Sequence, residues 1–175
     1  MNRELEEQIT LVESTFPNRL RRFIYHSFQH RYNQSETSAD DTPAGDSPSF
    51  RYVPTSGEWK DWAYEDRFYG GEPFAGNIQI FSEGKCVWYM DIQGEALPNT
   101  IKMTAEIHKC LGEALCAAPP SFPFRGPSAF IASNSLRYAN IGNGTINRCW
   151  GQESIKDEYD NWLYGANWRG GMIGR

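Results

Sequence analysis

The chain has 175 residues, a length that fits one domain able to bury a working core. Its formal net charge of −5 argues against a protein whose main task is holding nucleic acid, because neutralising phosphates requires a basic surface. No stretch approaches the roughly 18 apolar residues of a membrane span, and the acidic start does not resemble a secretory signal. We therefore expect a cytoplasmic protein with no membrane association and no direct nucleic-acid binding.

The first predicted element is helical. Apolar residues recur at spacings of three and four across residues 3–29, which is typical of a helix with one buried stripe. Pro17 interrupts the pattern, and we expect a second helix to begin near it, because proline is tolerated in a first helical turn. Arginines near the end of this stretch suit the helix dipole, and phosphate binding by them is the alternative.

The composition then changes to Ser, Thr, Asp, Pro and Gly, with almost no apolar residue. Such a stretch cannot bury enough apolar surface to offset the entropy of ordering it. The chain is therefore divided into an N-terminal helical arm at 1–32, a flexible linker or loop at 33–49, and an α+β domain at 50–175.

The domain opens with closely spaced strands, predicted at 62–69, 77–82 and 85–92. Glu83-Gly84 between the last two predicts a two-residue hairpin turn. In the third strand one set of alternate residues is core, and the other, with Tyr89 and Asp91, lines a surface or cleft.

A helix over about 98–118 should pack on the sheet. Further strands are predicted at 128–133, 136–140, 145–150 and 159–164, with turns at Asn143-Gly144 and Asp157-Glu158. The fold class that follows is α+β, with a twisted antiparallel sheet, one packed helix and the N-terminal helical arm.

Two glycine pairs, Gly70-Gly71 and Gly170-Gly171, each follow an aromatic-rich, strand-like run. A backbone without Cβ atoms takes positive φ readily and leaves room for a close approach. Either a ligand or a second chain segment fits such an opening.

Charged and aromatic residues near these glycines are the candidate site. If the strands adjoin, we expect them to converge in one aromatic-walled pocket, the usual setting for shifted pKa values. The predicted ligand-binding residues are Arg67, Tyr69, Glu72, Asp91, Arg125, Glu153 and Trp168. Glu72 and Glu153 are the candidates for a catalytic general base. Alternatively, Arg67 and Arg125 pair with buried carboxylates and only fasten loops to the sheet.

No metal site and no cofactor are expected. The four cysteines include no Cys-x-x-Cys pair, so we expect reduced core thiols. His26 and His30 have a spacing that would let them share a metal, but a third ligand is not apparent and neighbouring arginines would repel a cation. A glycine-rich phosphate loop is also missing.

Several strings of residues together resemble a bacterial domain family of unknown function. They begin at Trp62 (WAYEDRFYGGEPFAG), Lys85 (KCVW), Arg125 (RGP), Gly151 (GQESI) and Trp168 (WRGGMI). The resemblance covers about 59–173. It implies an antiparallel α+β module with no established activity to carry over, whose members are sometimes fused behind a helix-turn-helix DNA-binding domain.

The function indicated by these features is a non-enzymatic binding or regulatory module that recognises a small polar ligand or a protein partner. One alternative is a small hydrolase or toxin-like transferase that uses Glu72 or Glu153 as general base. Another is an immunity or inhibitor protein, whose acidic surface would cover a basic partner.

Overall fold

The computed structural model describes residues 15–33, 49–120 and 125–174. Within these ranges, the helices are α1 (Phe16–Asn33) and α2 (Thr104–Cys116), with short 3-10 turns at Gly57–Trp59 and Pro98–Met103. The strands are β1 (Ser49–Tyr52), β2 (Trp62–Tyr69), β3 (Phe74–Ser82), β4 (Lys85–Ala96), β5 (Ala129–Ile131), β6 (Arg137–Thr145), β7 (Arg148–Lys156) and β8 (Trp162–Met172). The predicted linker lies almost entirely outside the described residues, as does the first half of the predicted arm.

All eight strands belong to one open antiparallel sheet, in the order β1-β2-β3-β4-β8-β7-β6-β5. Two four-stranded meanders thus meet where β4 pairs with β8. The long connection through α2 carries the chain from the middle of the sheet to its far edge at β5. The α+β class is confirmed.

Both helices cover one face of the sheet, called here the inner face. Helix α1 contributes Leu20, Phe23, Ile24 and Phe28 to the buried cluster, so it packs on the sheet as α2 does. Pro17 lies in the first turn of α1, as predicted, where its missing N–H has no helical partner to lose. The other face of the sheet, the outer face, carries no helix of the described chain.

Strand β4 shows the predicted alternation. Trp88, Met90 and Ile92 are buried on the inner face, whereas Tyr89 and Asp91 are only partly covered on the outer face. The hairpin turn before it is also confirmed, with positive φ at Glu83 (51°) and Gly84 (74°).

The predicted position of the turn between β6 and β7 was wrong. Strand β6 runs through Asn143-Gly144 to Thr145, and the chain reverses at Ile146 and Asn147. The error arises because Asn-Gly is a strong turn signal, whereas Ile146 resembles a strand residue. Ile146 is buried in the turn itself, and its carbonyl accepts a hydrogen bond from Trp88 Nε1 at 3.1 Å.

The start of the last strand also differs from the prediction. Tyr159 and Asn161 lie in a turn in which both backbone amides donate to the Asp157 carboxylate, each at 2.9 Å. This local side-chain-to-backbone bonding competes with strand pairing. Strand β8 consequently begins at Trp162.

The four cysteines are free thiols and fall into two classes. Cys110 and Cys149 are buried, whereas Cys86 and Cys116 are partly exposed. Burial raises the pKa of Cys110 and of Cys149 to about 11, so about one thiol in a thousand is ionised at pH 8.

We expect a thiol reagent at pH 8 to modify the partly exposed Cys86 and Cys116 before the other two, which should react only after unfolding, because the reagent must reach the thiol and the thiolate is the reactive form. Denaturation without reductant should expose four groups. Four equally fast thiols in the native protein would contradict this burial, and fewer than four after denaturation would reveal a disulfide.

Candidate functional site

The side chains predicted to form one pocket lie in three separate places. Arg125, Glu153 and Trp168 are buried on the inner face. Glu72 lies in the loop between β2 and β3, and the others, Arg67, Tyr69 and Asp91, lie on the outer face. The predicted convergence is therefore wrong, since successive residues of a strand point to opposite faces of the sheet.

Glu153 is the centre of a buried polar cluster. Arg125 donates from Nε and Nη2 to its two carboxylate oxygens at 3.2 and 2.7 Å. The hydroxyls of Tyr138 and Tyr164 donate to the same carboxylate at 2.9 and 3.1 Å. Burial, reinforced by the adjacent carboxylate, raises the pKa of both tyrosines well above the usual value, so both stay protonated donors.

The Arg125 guanidinium stays charged in this cluster. Burial is the largest single effect and disfavours the cation, but the charge and hydrogen bonds of Glu153 together with the neighbouring Tyr32 and Tyr138 outweigh it and raise the pKa of Arg125. The Arg125–Glu153 pair thus fastens the segment before β5 to strand β7. This is the structural alternative considered from the sequence.

Trp168 has a similar role. Its indole Nε1 donates to Asn140 Oδ1 at 3.1 Å, and Asn140 Nδ2 donates to the Gly126 carbonyl at 3.0 Å. Trp168 therefore holds the same segment through Asn140.

Glu72 fastens a different loop. Its Oε2 accepts a hydrogen bond from the backbone amide of Ala96 at 2.6 Å, at the end of β4. Its Oε1 lies 3.6 Å from His108 Nε2 on α2. The hydrogen bond to Ala96 ties the β2–β3 loop to the central strand β4, whereas Oε1 is buried without a hydrogen-bond partner among the described residues.

The remaining predicted residues belong to the first half of the outer face. Asp91 accepts a hydrogen bond from the Tyr89 hydroxyl at 2.5 Å and lies 3.5 Å from Arg169 Nε. That hydrogen bond, together with burial, raises the pKa of Tyr89 to about 12. Arg67 lies 3.6 Å from Glu65, and Tyr69 is half-exposed near the end of β2.

The second half of the outer face, formed by β5–β8, exposes large apolar side chains. Ile131 is 72% exposed, Ile141 69% and Trp150 51%. Ala129 and Ala139 face each other across the ladder between the two isoleucines. Trp150 is a diagonal neighbour of Ile141, because Ile141 pairs with Gln152 and Asn143 pairs with Trp150. We call Ala129, Ile131, Ala139, Ile141 and Trp150 the apolar patch.

Cations surround this patch. Alternation and register place four basic residues and no carboxylate at the outward positions of strands β5–β8, all of which the structure describes. These residues, called here the basic rim, are Arg137, Arg148, Lys156 and Arg169. Asp160 in the β7–β8 turn lies 3.0 Å from Arg137 and 3.3 Å from Lys156. Arg148 and Arg169 lie beside Trp150, and Arg169 is also 3.5 Å from Asp91 on β4.

The apolar patch was not predicted from the sequence. A signal was present in β7, where buried Cys149, Gly151 and Glu153 alternate with exposed residues such as Trp150. The predicted strand ended at residue 150, whereas β7 continues to Lys156, so the full alternation was not recognised.

The two histidines with metal-like spacing pack on β1 instead. His26 Nε2 lies within hydrogen-bond distance of the Tyr52 hydroxyl, at 3.0 Å, and the His30 ring centroid is 4.1 Å from that of Tyr52. Among the described residues, no group of three or more His, Cys, Asp or Glu side chains could hold a metal.

These features define an antiparallel α+β module with one face covered by helices and a second face on which no described helix packs. The chain belongs to the family described as Domain of unknown function (DUF5680), whose model matches residues 66–173. This match confirms the resemblance drawn from the sequence. No curated protein and no solved structure is significantly similar to the chain. In the described ranges, no helix is long and apolar enough to cross a membrane.

Proposed function

We propose that this chain is a non-enzymatic binding module that recognises a protein partner through the outer face of strands β5–β8. The observation that carries the proposal is the exposure of Ile131, Ile141 and Trp150 on that face, with Ala129 and Ala139 between the two isoleucines and Trp150 diagonal to Ile141. Contiguous apolar side chains rimmed by polar ones mark interaction sites on soluble proteins.

The composition of the face suits a protein interface. Interfaces combine an apolar centre with a polar rim, and tryptophan and arginine are enriched among the residues that contribute most to affinity. The apolar patch spans three strands, roughly 10 Å across the sheet at the usual strand spacing. A specific interface covers about 800 Å² on each partner. The patch therefore forms the centre of a contact that extends over the basic rim.

The contacts of the two candidate general bases favour binding over chemistry. A general base needs a carboxylate oxygen within reach of a substrate proton. Glu153 is buried under the helices and accepts four hydrogen bonds. Glu72 holds the Ala96 amide. The Glu153 carboxylate and the Oε2 oxygen of Glu72 therefore serve the fold.

The inhibitor alternative would need a different surface. An inhibitor that covers a basic partner presents carboxylates to it. The outward positions of β5–β8 present the basic rim instead. This charge favours a partner of the opposite sign.

Truncating the patch tests the proposal. Random 16-residue peptides selected on the native protein should bind Trp150→Ala and Ile141→Ser at least tenfold more weakly, a loss of about 1.4 kcal/mol each. Both side chains are exposed, so the melting temperature should stay close to that of the native protein. Fluorescence anisotropy of labelled peptides measures the affinity.

Tyr69→Ala is the matched control, because Tyr69 is also an exposed aromatic on the outer face but lies on β2. It should leave the affinity of the same peptides unchanged. Peptides that bind all three variants as tightly as the native protein would contradict the proposal.

A further inference from the structure

We infer that the partner segment that occupies this face is acidic, with apolar side chains between its carboxylates. The inference rests on the proposed function and adds the chemistry of the partner to it. It is drawn from the distribution of charge over the molecule.

The charge of the face opposes the charge of the chain. The whole chain carries a net −5, yet the outward positions of β5–β8 hold only cations, the four residues of the basic rim. Such segregation creates a local positive potential on an acidic protein, which attracts and orients a negatively charged partner.

Trp150 stands between two of these cations. Arg169 is directly opposite it on β8, and Arg148 precedes it by two residues on the same side of β7. The Arg169 side chain is 81% exposed, and the nearby Asp91 carboxylate is also engaged by the Tyr89 hydroxyl. Exposed guanidiniums beside an exposed indole can pair with carboxylates while the ring packs on an apolar side chain.

A second copy of the chain fits this face poorly. In a symmetric dimer the same patch meets itself, so a face whose outward strand positions hold cations and no carboxylate would meet a second face of the same charge. Like charges across an interface disfavour association.

Single-stranded nucleic acid is also disfavoured. Its bases need closely spaced rings for stacking, and the outward-facing tryptophans, Trp150 and Trp162, are separated by roughly 20 Å along the strands. Aliphatic side chains, Ile131 and Ile141, occupy the other exposed positions of the patch. Such aliphatic side chains pack well against the apolar side chains of a polypeptide.

Charge reversal tests the inference with peptides from the random 16-residue library. Peptides that need Trp150 for binding should be enriched in Asp and Glu interspersed with apolar residues. Their affinity for Arg148→Glu/Arg169→Glu should fall at least tenfold at 150 mM salt. For the native protein it should fall steeply between 50 and 300 mM salt, because salt screens exposed charges.

The matched control is Arg51→Glu/Arg67→Glu, which changes the same charge on the β1–β2 half of the outer face. The affinity of the same peptides for this control variant should change less than threefold. Melting curves confirm that each variant is folded, and Arg148→Gln/Arg169→Gln gives the same test with a smaller charge change if the reversal prevents folding.

Four outcomes would overturn the inference. Neutral or basic peptides that still require Trp150 and Ile141 would refute the acidic partner while leaving the proposed function intact, whereas peptides indifferent to Trp150 would refute both. Binding of a 20-nucleotide oligo-dT that is lost on charge reversal would assign the face to nucleic acid. A Trp150-dependent dimer in sedimentation would assign it to a second copy.

Discussion

Glu153→Gln is expected to lower the free energy of unfolding by about 3–5 kcal/mol. Arg125 is 2% exposed and relies on Glu153 for its counter-charge. The amide keeps the size of the carboxylate but leaves a buried cation without a negative partner. Urea denaturation of the two proteins side by side measures the loss.

An exposed ion pair provides the control for this prediction. Arg22 and Glu58 lie 3.0 Å apart with about half of each side chain in solvent, so Glu58→Gln should cost less than about 1 kcal/mol. Arg125→Leu combined with Glu153→Leu should be more stable than Glu153→Gln alone, because it buries no unpaired charge. If Glu153→Gln unfolds at the same urea concentration as the native protein, the pair does not fasten the fold.

Gly170→Ala is expected to destabilise the protein by about 1–3 kcal/mol, the usual cost of inserting a methyl group into close packing. A Cβ at Gly170 would lie 2.5 Å from the Tyr89 carbonyl oxygen and 3.0 Å from Met90 Cβ. The obstructing oxygen belongs to the backbone of β4, so the central β4–β8 pairing would have to shift. The midpoint of urea unfolding reports the change.

Gly71→Ala is the matched control from the other glycine pair. A Cβ at Gly71 would meet no atom within 4 Å, and its substitution should change stability by no more than about 0.5 kcal/mol. If Gly170→Ala and Gly71→Ala lowered the free energy of unfolding equally, close packing of β8 on β4 would not explain the need for glycine at position 170.

The two glycine pairs illustrate what a local pattern reveals. Their sequences indicated room for a close approach but not what approaches. At Gly170 the approaching group is strand β4. Gly70, with a φ of +81°, belongs to the turn after β2. The difference depends on the pairing of β4 with β8, which brings together residues about 80 positions apart and leaves no local signal.

The fold itself was largely predictable, because alternation in β4 and the Glu83-Gly84 turn are encoded by neighbouring residues. The candidate site was not. Glu153 and Trp150 lie on the same strand three residues apart, and only the position of the helices decides which of them is covered. Charged residues beside aromatics suggested a pocket. In the structure, Glu153 is a buried ion-pair partner of Arg125, and the residues next to it on β7 point to the outer face.

Mapping a bound peptide on the protein by NMR shows whether the outer face of β5–β8 is the binding surface. A peptide selected on the native chain is titrated into ¹⁵N-labelled protein, and the backbone amide shifts are recorded. We expect the largest changes in amide chemical shift on β5–β8, around Ile141, Trp150 and Arg169. Shifts concentrated on α1, on α2 or on the β1–β3 half of the sheet would contradict this expectation.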